Sequence, residues 1–132
     1  MKAVSIARTG FWLACLALTV LSLVPADFLP AKGPFNFWDK AQHALAFAAL
    51  TVLGLWSWPR PTLHWRLVAG LMSFGAAIEL AQTLTGWRHG EWFDWGADSV
   101  GVISVIVGKS LMKAMSRLRI GVQREDGHKK SC

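Results

Sequence analysis

The 132 residues leave room for one domain. Of these, 53% are hydrophobic and 17% charged, against about 25% charged in an average soluble protein, so no soluble domain fits beside the apolar runs. The net charge of +6 is concentrated at one end, with seven cations and two acids from Lys109 onward, and it reads as topology and contact with anionic headgroups, excluding nucleic-acid binding. Cys15 and Cys132 form neither a disulfide framework nor a metal-binding pair.

The chain divides into four nearly uncharged runs, each close to the ~20 residues that cross the hydrocarbon of a bilayer. The first, about 10–29, follows Lys2 and Arg8. An alternative makes it a cleaved signal peptide, with Val24-Pro25-Ala26 as the peptidase site. Pro30, Gly33 and Pro34 close it. The second is predicted over 39–58, with His43 the only ionisable group between Ala41 and Trp58, and Pro59 and Pro61 follow. The third, 64–85, holds Glu79 and ends at Gly86. The fourth, 93–113, holds Asp98 and leads to a polar tail. The expected fold is therefore all-α, a polytopic bundle of four transmembrane helices forming one domain over 1–113, with 114–132 a basic cytoplasmic tail. Leu111, Met115 and Leu118 alternate with Lys113, Arg117 and Arg119, so the last helix either continues along the interface as an amphipathic segment or gives way to a solvated tail.

Orientation follows from the cations. With both ends inside, eleven Lys and Arg fall on the cytoplasmic side, and only Lys32, Lys40 and Arg88 fall outside. The tryptophans agree. Trp12, Trp56, Trp58 and Trp65 are placed at inner span ends, and Trp38, Trp87, Trp92 and Trp95 at outer ends, where an indole meets the headgroups.

This register gathers the intramembrane polar residues. His43, Glu79, Gln82 and Asp98 each fall roughly 6–10 Å below the outer interface at ~1.5 Å rise per residue, beneath a mouth ringed by Asp39, Lys40, Arg88, His89, Glu91 and Asp94. Spacings of three or four keep Asp39 with His43, Glu79 with Gln82, and Asp94 with Asp98 on shared helix faces. Small residues below them (Ala44, Ala48, Gly75, Ala97, Gly101, Gly108) would let helices approach. A charge facing lipid costs at least ~2.5–3.5 kcal/mol, so these groups are expected to face one another. Individually, Asp39 and Asp94 could be N-caps, His43 a hydrogen-bonded histidine, Gln82 interhelical glue and Arg88 an interface anchor.

In order and spacing, Asp39-Lys40-Ala41-Gln42-His43, Glu79-Leu80-Ala81-Gln82, Arg88, and Asp94-Trp95-Gly96-Ala97-Asp98 with Gly101 resemble the VanZ-like family of small membrane proteins, over residues 38–108. That family is named for a protein associated with resistance to the glycopeptide teicoplanin. Asp98 stands where the family commonly has Asn, adding one ionisable group. The resemblance implies an integral protein of the bacterial cytoplasmic (inner) membrane, acting at the cell envelope.

Three functions compete. The leading expectation is a headgroup site at the outer leaflet, formed by Asp39, Lys40, His43, Glu79, Gln82, Arg88, Asp94 and Asp98. Lys40, Arg88 and the N-termini of two helices would hold an anionic lipid or a lipid-linked cell-wall intermediate, with a role in glycopeptide tolerance. No catalytic residue, resident metal or cofactor is assigned, and a homo-oligomer is compatible. The second reading is an intramembrane enzyme: His43 as base or nucleophile, Glu79 as acid and Arg88 stabilising a phosphoryl group, or His43, Glu79, Asp94 and Asp98 around a divalent metal. No Ser-Gly-His, Gly-x-Ser-x-Gly or phosphate-loop sequence accompanies it. The third is a purely structural polar clamp.

Overall fold

The computed structural model describes residues 2–25, 37–86 and 91–129, with side chains at 2–25, 40–86 and 91–120. The described residues form four α-helices: α1 (Lys2–Leu23), α2 (Phe37–Ser57), α3 (His64–Thr85) and α4 (Trp92–Lys129). A 3-10 turn, Pro61–Leu63, leads into α3, and no strand occurs among the described residues.

The ends of α2 and α3 follow from local chemistry. The Trp58 N–H still bonds to the Gly54 carbonyl at 2.9 Å, but Pro59 offers no N–H, and Pro61 opens the 3-10 turn instead. Gly86, at φ 77° in the left-handed region, stops α3, a conformation that costs glycine little. Two helices depart from the expected bounds. α1 begins at Lys2, eight residues before 10, because nothing from Lys2 to Thr9 breaks a helix. It ends at Leu23, where the approach to Pro25 disfavours further helical backbone. α4 runs on from Trp92 to Lys129, so residues 114–129 are helix continuous with the apolar segment, as in the first of the two expectations for the last helix. The loop prolines and glycines at 30, 33, 34 and 90 lie outside the described residues.

Three segments are long and apolar enough to cross a membrane: Lys2–Leu23, Pro61–Thr85 and Trp92–Ile120. The second helix falls short of them in apolarity, because Lys40, Gln42 and His43 crowd its first turns. Burial is inverted relative to a soluble protein. Leu84 and Leu45 are 76% and 70% exposed, while Glu79 and Asp98 are 5% and 2% exposed. An outward belt of leucine and tryptophan around buried acids is compatible with a protein whose solvent is hydrocarbon.

The helices alternate in direction. Arg8, near the start of α1, donates Nε–H to the Ser57 carbonyl at the end of α2, at 3.1 Å. Near the other end of α1, the Ser22 carbonyl accepts from Gln82 Nε2 of α3 at 2.9 Å. Lys40 of α2 meets Asp94 of α4, near the starts of both helices, so α2 and α4 run parallel, opposite to α1 and α3. The core between them holds Phe11, Phe47, Leu50, Leu55, Leu67, Leu71 and Val102. Phe11 and Trp12 stack edge-on against Trp58, closing the end where α1 starts and α2 stops.

A close backbone contact joins α2 and α4. Gly101 lies against the Ala44 backbone, and a Cβ added there would collide with the Ala44 carbonyl oxygen. Of the small residues expected to mediate approach, Gly108 does not, since a Cβ there would meet nothing within 4 Å. The pair gives an internally controlled prediction. Gly101→Ala overpacks a backbone contact and is expected to cost about 1–3 kcal/mol or more, lowering the thermal midpoint in detergent. Gly108→Ala leaves the midpoint unchanged or slightly raises it, through the better helix propensity of alanine.

Candidate functional site

The polar groups of α2, α3 and α4 meet where α2 and α4 begin. The start of α4 does not sit level with the end of α3. The Glu91 N–H, just ahead of α4, donates to Glu79 Oε2 at 2.8 Å, placing it beside Glu79 rather than beside Thr85. Six residues of α3, about 9 Å at ~1.5 Å per residue, therefore rise past the beginning of α4. This offset decides which polar residues meet.

An upper tier is built around Lys40. Its Nζ donates to Asp94 Oδ1 at 3.0 Å and to Glu91 Oε2 at 3.1 Å, tying α2 to the first turn of α4. Asp94 is therefore not the N-cap of α4. It lies in the first turn, where an acid also suits the positive end of the helix dipole. Its side chain is 10% exposed, against 31% for Lys40 and 43% for Glu91. Two acids already hold this ammonium, which changes the role expected of Lys40: it clamps the mouth before it can hold an external anion.

A lower tier lies one turn deeper. His43 Nδ1 is 3.1 Å from Asp98 Oδ1, and one donor atom from each of His43, Glu79 and Asp98 lies within 4.8 Å of the other two. His43 is one turn from Lys40, and Asp98 one turn from Asp94, so the two tiers repeat on the same α2 and α4 faces. Glu79 reaches in from α3. Among the described residues, Glu79 Oε1 and Asp98 Oδ2 are buried without a hydrogen-bond partner.

Beside Asp98, α3 presents Gly75. A Cβ there would stand 2.8 Å from Asp98 Oδ2 and 3.3 Å from the rings of Phe47 and Trp95. The glycine thus makes room for a carboxylate, a role different from the helix approach expected of it. Trp95 also departs from its expected place at the headgroups. Its Nε1–H donates to the Met72 carbonyl of α3 at 3.0 Å, turning the indole into the bundle. Gln82 is expected in the same layer but is drawn off to α1 by the Ser22 carbonyl, as glue between helices.

Of the eight candidate residues, the structure thus joins His43, Glu79 and Asp98 in one cluster and Lys40 with Asp94 in another. Gln82 is bonded elsewhere. The side chain of Asp39 and the whole of Arg88 lie outside the described residues. Glu91, expected only among the ring at the mouth, serves the site twice, through its N–H and its carboxylate. The one signal for it was its position immediately before the fourth run. No protein-family model, curated protein or solved structure is matched by the chain.

The tiers make the Lys40 clamp testable. Lys40→Met leaves Asp94 and Glu91 facing each other and is expected to cost about 1–3 kcal/mol. Asp94→Asn in the same chain recovers part of that loss, giving a coupling energy of about 0.5–3 kcal/mol in a double-mutant cycle followed by thermal or denaturant unfolding. Additive effects would show that the clamp carries no energy.

Proposed function

We propose that the chain is a VanZ-like, multi-pass protein of the bacterial cytoplasmic membrane. Four helices cross the bilayer with both ends inside, and the polar layer beneath the outer face receives the anionic head of a lipid or lipid-linked cell-wall intermediate. α2 is counted as the fourth span. Its 21 residues extend about 32 Å at ~1.5 Å each, enough for a hydrocarbon core of ~30 Å. It runs opposite to its neighbours in sequence, and its ionisable residues, Asp39, Lys40 and His43, are confined to the end where the site lies. The excess of Lys and Arg at the other end sets the orientation.

The observation that carries the binding role is the pair of unpartnered, buried carboxylate oxygens on Glu79 and Asp98. A polar cluster that only clamped helices together would spend its acceptors within the bundle, because each one left over costs about 1–3 kcal/mol or more. Lys40, Asp94 and Glu91 behave as such a clamp. Glu79 and Asp98 each keep one oxygen in reserve. With Lys40 already engaged, Arg88 is the residue to which this reading assigns the headgroup phosphate, helped by the N-terminus of α4. Glycopeptide tolerance would follow from sequestering or shielding a cell-wall intermediate that the antibiotic competes for.

Two measurements test this. In a chain whose own Cys15 and Cys132 are replaced by serine, cysteines placed singly at 64 and 116 are expected to react with a membrane-impermeant maleimide only in inverted vesicles, and one at 91 only from outside; the opposite pattern overturns the orientation. In native mass spectrometry of detergent-purified protein, a polyprenyl phosphate is expected to stay bound where phosphatidylcholine does not. Arg88→Ala is expected to cut that retention at least tenfold and to remove teicoplanin tolerance at equal membrane abundance. Unchanged retention and tolerance would remove the headgroup reading.

A further inference from the structure

The lower tier buries two carboxyl groups beside an imidazole. Lys40 is held by Glu91 and Asp94, His43 Nδ1 lies 3.1 Å from Asp98 Oδ1, and among the described residues Glu79 Oε1 and Asp98 Oδ2 are buried without a hydrogen-bond partner. A buried carboxylate with a free oxygen needs a cation or a proton. We propose that His43, Glu79 and Asp98 bind one divalent first-row transition-metal ion, of the Zn2+ or Mn2+ class. The inference deepens the function above and rests on its reading of this layer as a ligand centre.

Geometry supports it first. Three donor atoms no more than 4.8 Å apart can each be brought to a metal bond of about 2.0–2.2 Å by side-chain movements of under about 1 Å. The 3.1 Å between His43 Nδ1 and Asp98 Oδ1 is also the separation of two adjacent ligands on one ion, since bonds of about 2.0–2.1 Å at tetrahedral or octahedral angles put their ends roughly 2.9–3.4 Å apart. The same contact thus serves as a hydrogen bond without metal and as one edge of a coordination shell with it.

Burial and support point the same way. Glu79 is 5% and Asp98 2% exposed, and each has one oxygen buried without a hydrogen-bond partner. The other oxygen of Glu79 is held by the Glu91 N–H at 2.8 Å, an outer contact of the kind that orients a ligating carboxylate. Glu91 is itself fastened to Lys40. Gly75 leaves the space beside Asp98 Oδ2 that any other residue would fill.

The donor set selects the class of ion. One imidazole with two carboxylates suits a divalent transition metal, whereas Mg2+ favours oxygen and retained water. Three protein ligands leave at least one coordination position open. A phosphate oxygen could fill it, which would supply the positive charge that Lys40 no longer offers and would explain how an acid-rich layer accepts an anionic headgroup.

The test uses the full chain purified in detergent, stripped with chelator and dialysed against Zn2+, Mn2+ or Mg2+ without added lipid. Expected is about one equivalent of Zn2+ or Mn2+ per chain by elemental analysis, little Mg2+, and a thermal midpoint raised by several degrees. His43→Ala, Glu79→Gln and Asp98→Asn are each expected to weaken retention at least tenfold and abolish the metal-dependent rise in midpoint, and Gln82→Ala to keep both. Should a ligand variant fail to fold, pulsed electron paramagnetic resonance of the Mn2+-loaded wild type decides alone: a directly bound 14N is expected. No retained metal, no nitrogen coupling, equal retention by all three variants, or retention only after Arg88→Ala would overturn the site. A protein that binds polyprenyl phosphate but no metal overturns this inference alone. One that holds the metal but no phosphate lipid upholds it and overturns the headgroup reading.

Discussion

A carboxylate on a helix surrounded by hydrocarbon has to be met by another helix, and most of this architecture follows from that demand. Exposure to lipid at the bilayer centre costs several kcal/mol even by lenient insertion scales. The bundle buries three acids, leaving Glu79, Asp94 and Asp98 at 5%, 7% and 2% exposure. Each is turned toward α2 or toward the start of α4. Were the surroundings lipid, the outward leucines would cost nothing and the usual hydrophobic drive toward the interior would be weak, so that polar pairing would fix which faces touch.

Packing then has to permit the meeting. The contact of His43 with Asp98 requires α2 and α4 to lie close, and they do so one turn further along, where Gly101 receives the Ala44 carbonyl. On the other side Gly75 withdraws so that Asp98 fits between α3 and α4. Two glycines on different helices thus perform opposite tasks, one closing a gap and one holding it open. A third, Gly108, performs neither, which shows that a small residue in a span is not by itself a contact.

The sequence made the faces legible but not the heights. Spacings of three and four put Asp39 with His43 and Asp94 with Asp98, and helical geometry alone guarantees that. The bounds of α2 and α3 were readable because Pro59, Pro61 and Gly86 are backbone constraints that no tertiary context removes. The ends of α1 and α4 were not, because charge marks the limit of a span and leaves the helix free to continue: Lys2 to Thr9 and Ala114 to Lys129 contain no proline. The offset between the start of α4 and the end of α3 has no local signature. It reassigned Glu91 from a rim residue to a support for Glu79, and sent Gln82 to α1. Trp95 was misplaced for a related reason: the preference of indole for an interface gave way to a specific acceptor at Met72.

The unbroken length of α4 also has a mechanical side. Its 38 residues extend about 57 Å at ~1.5 Å per residue, nearly twice the ~30 Å of a hydrocarbon core, and Asp98 sits near one tip. From Asp98 to Lys129 is roughly 46 Å of rod by the same rise, with no proline to act as a joint. Pivoting by only 5° about Asp98 would sweep the far tip sideways by about 4 Å over that lever arm. Taken as a straight rod, α4 would turn a tilt of a few degrees at its Asp98 end into a far larger sideways shift at Lys129.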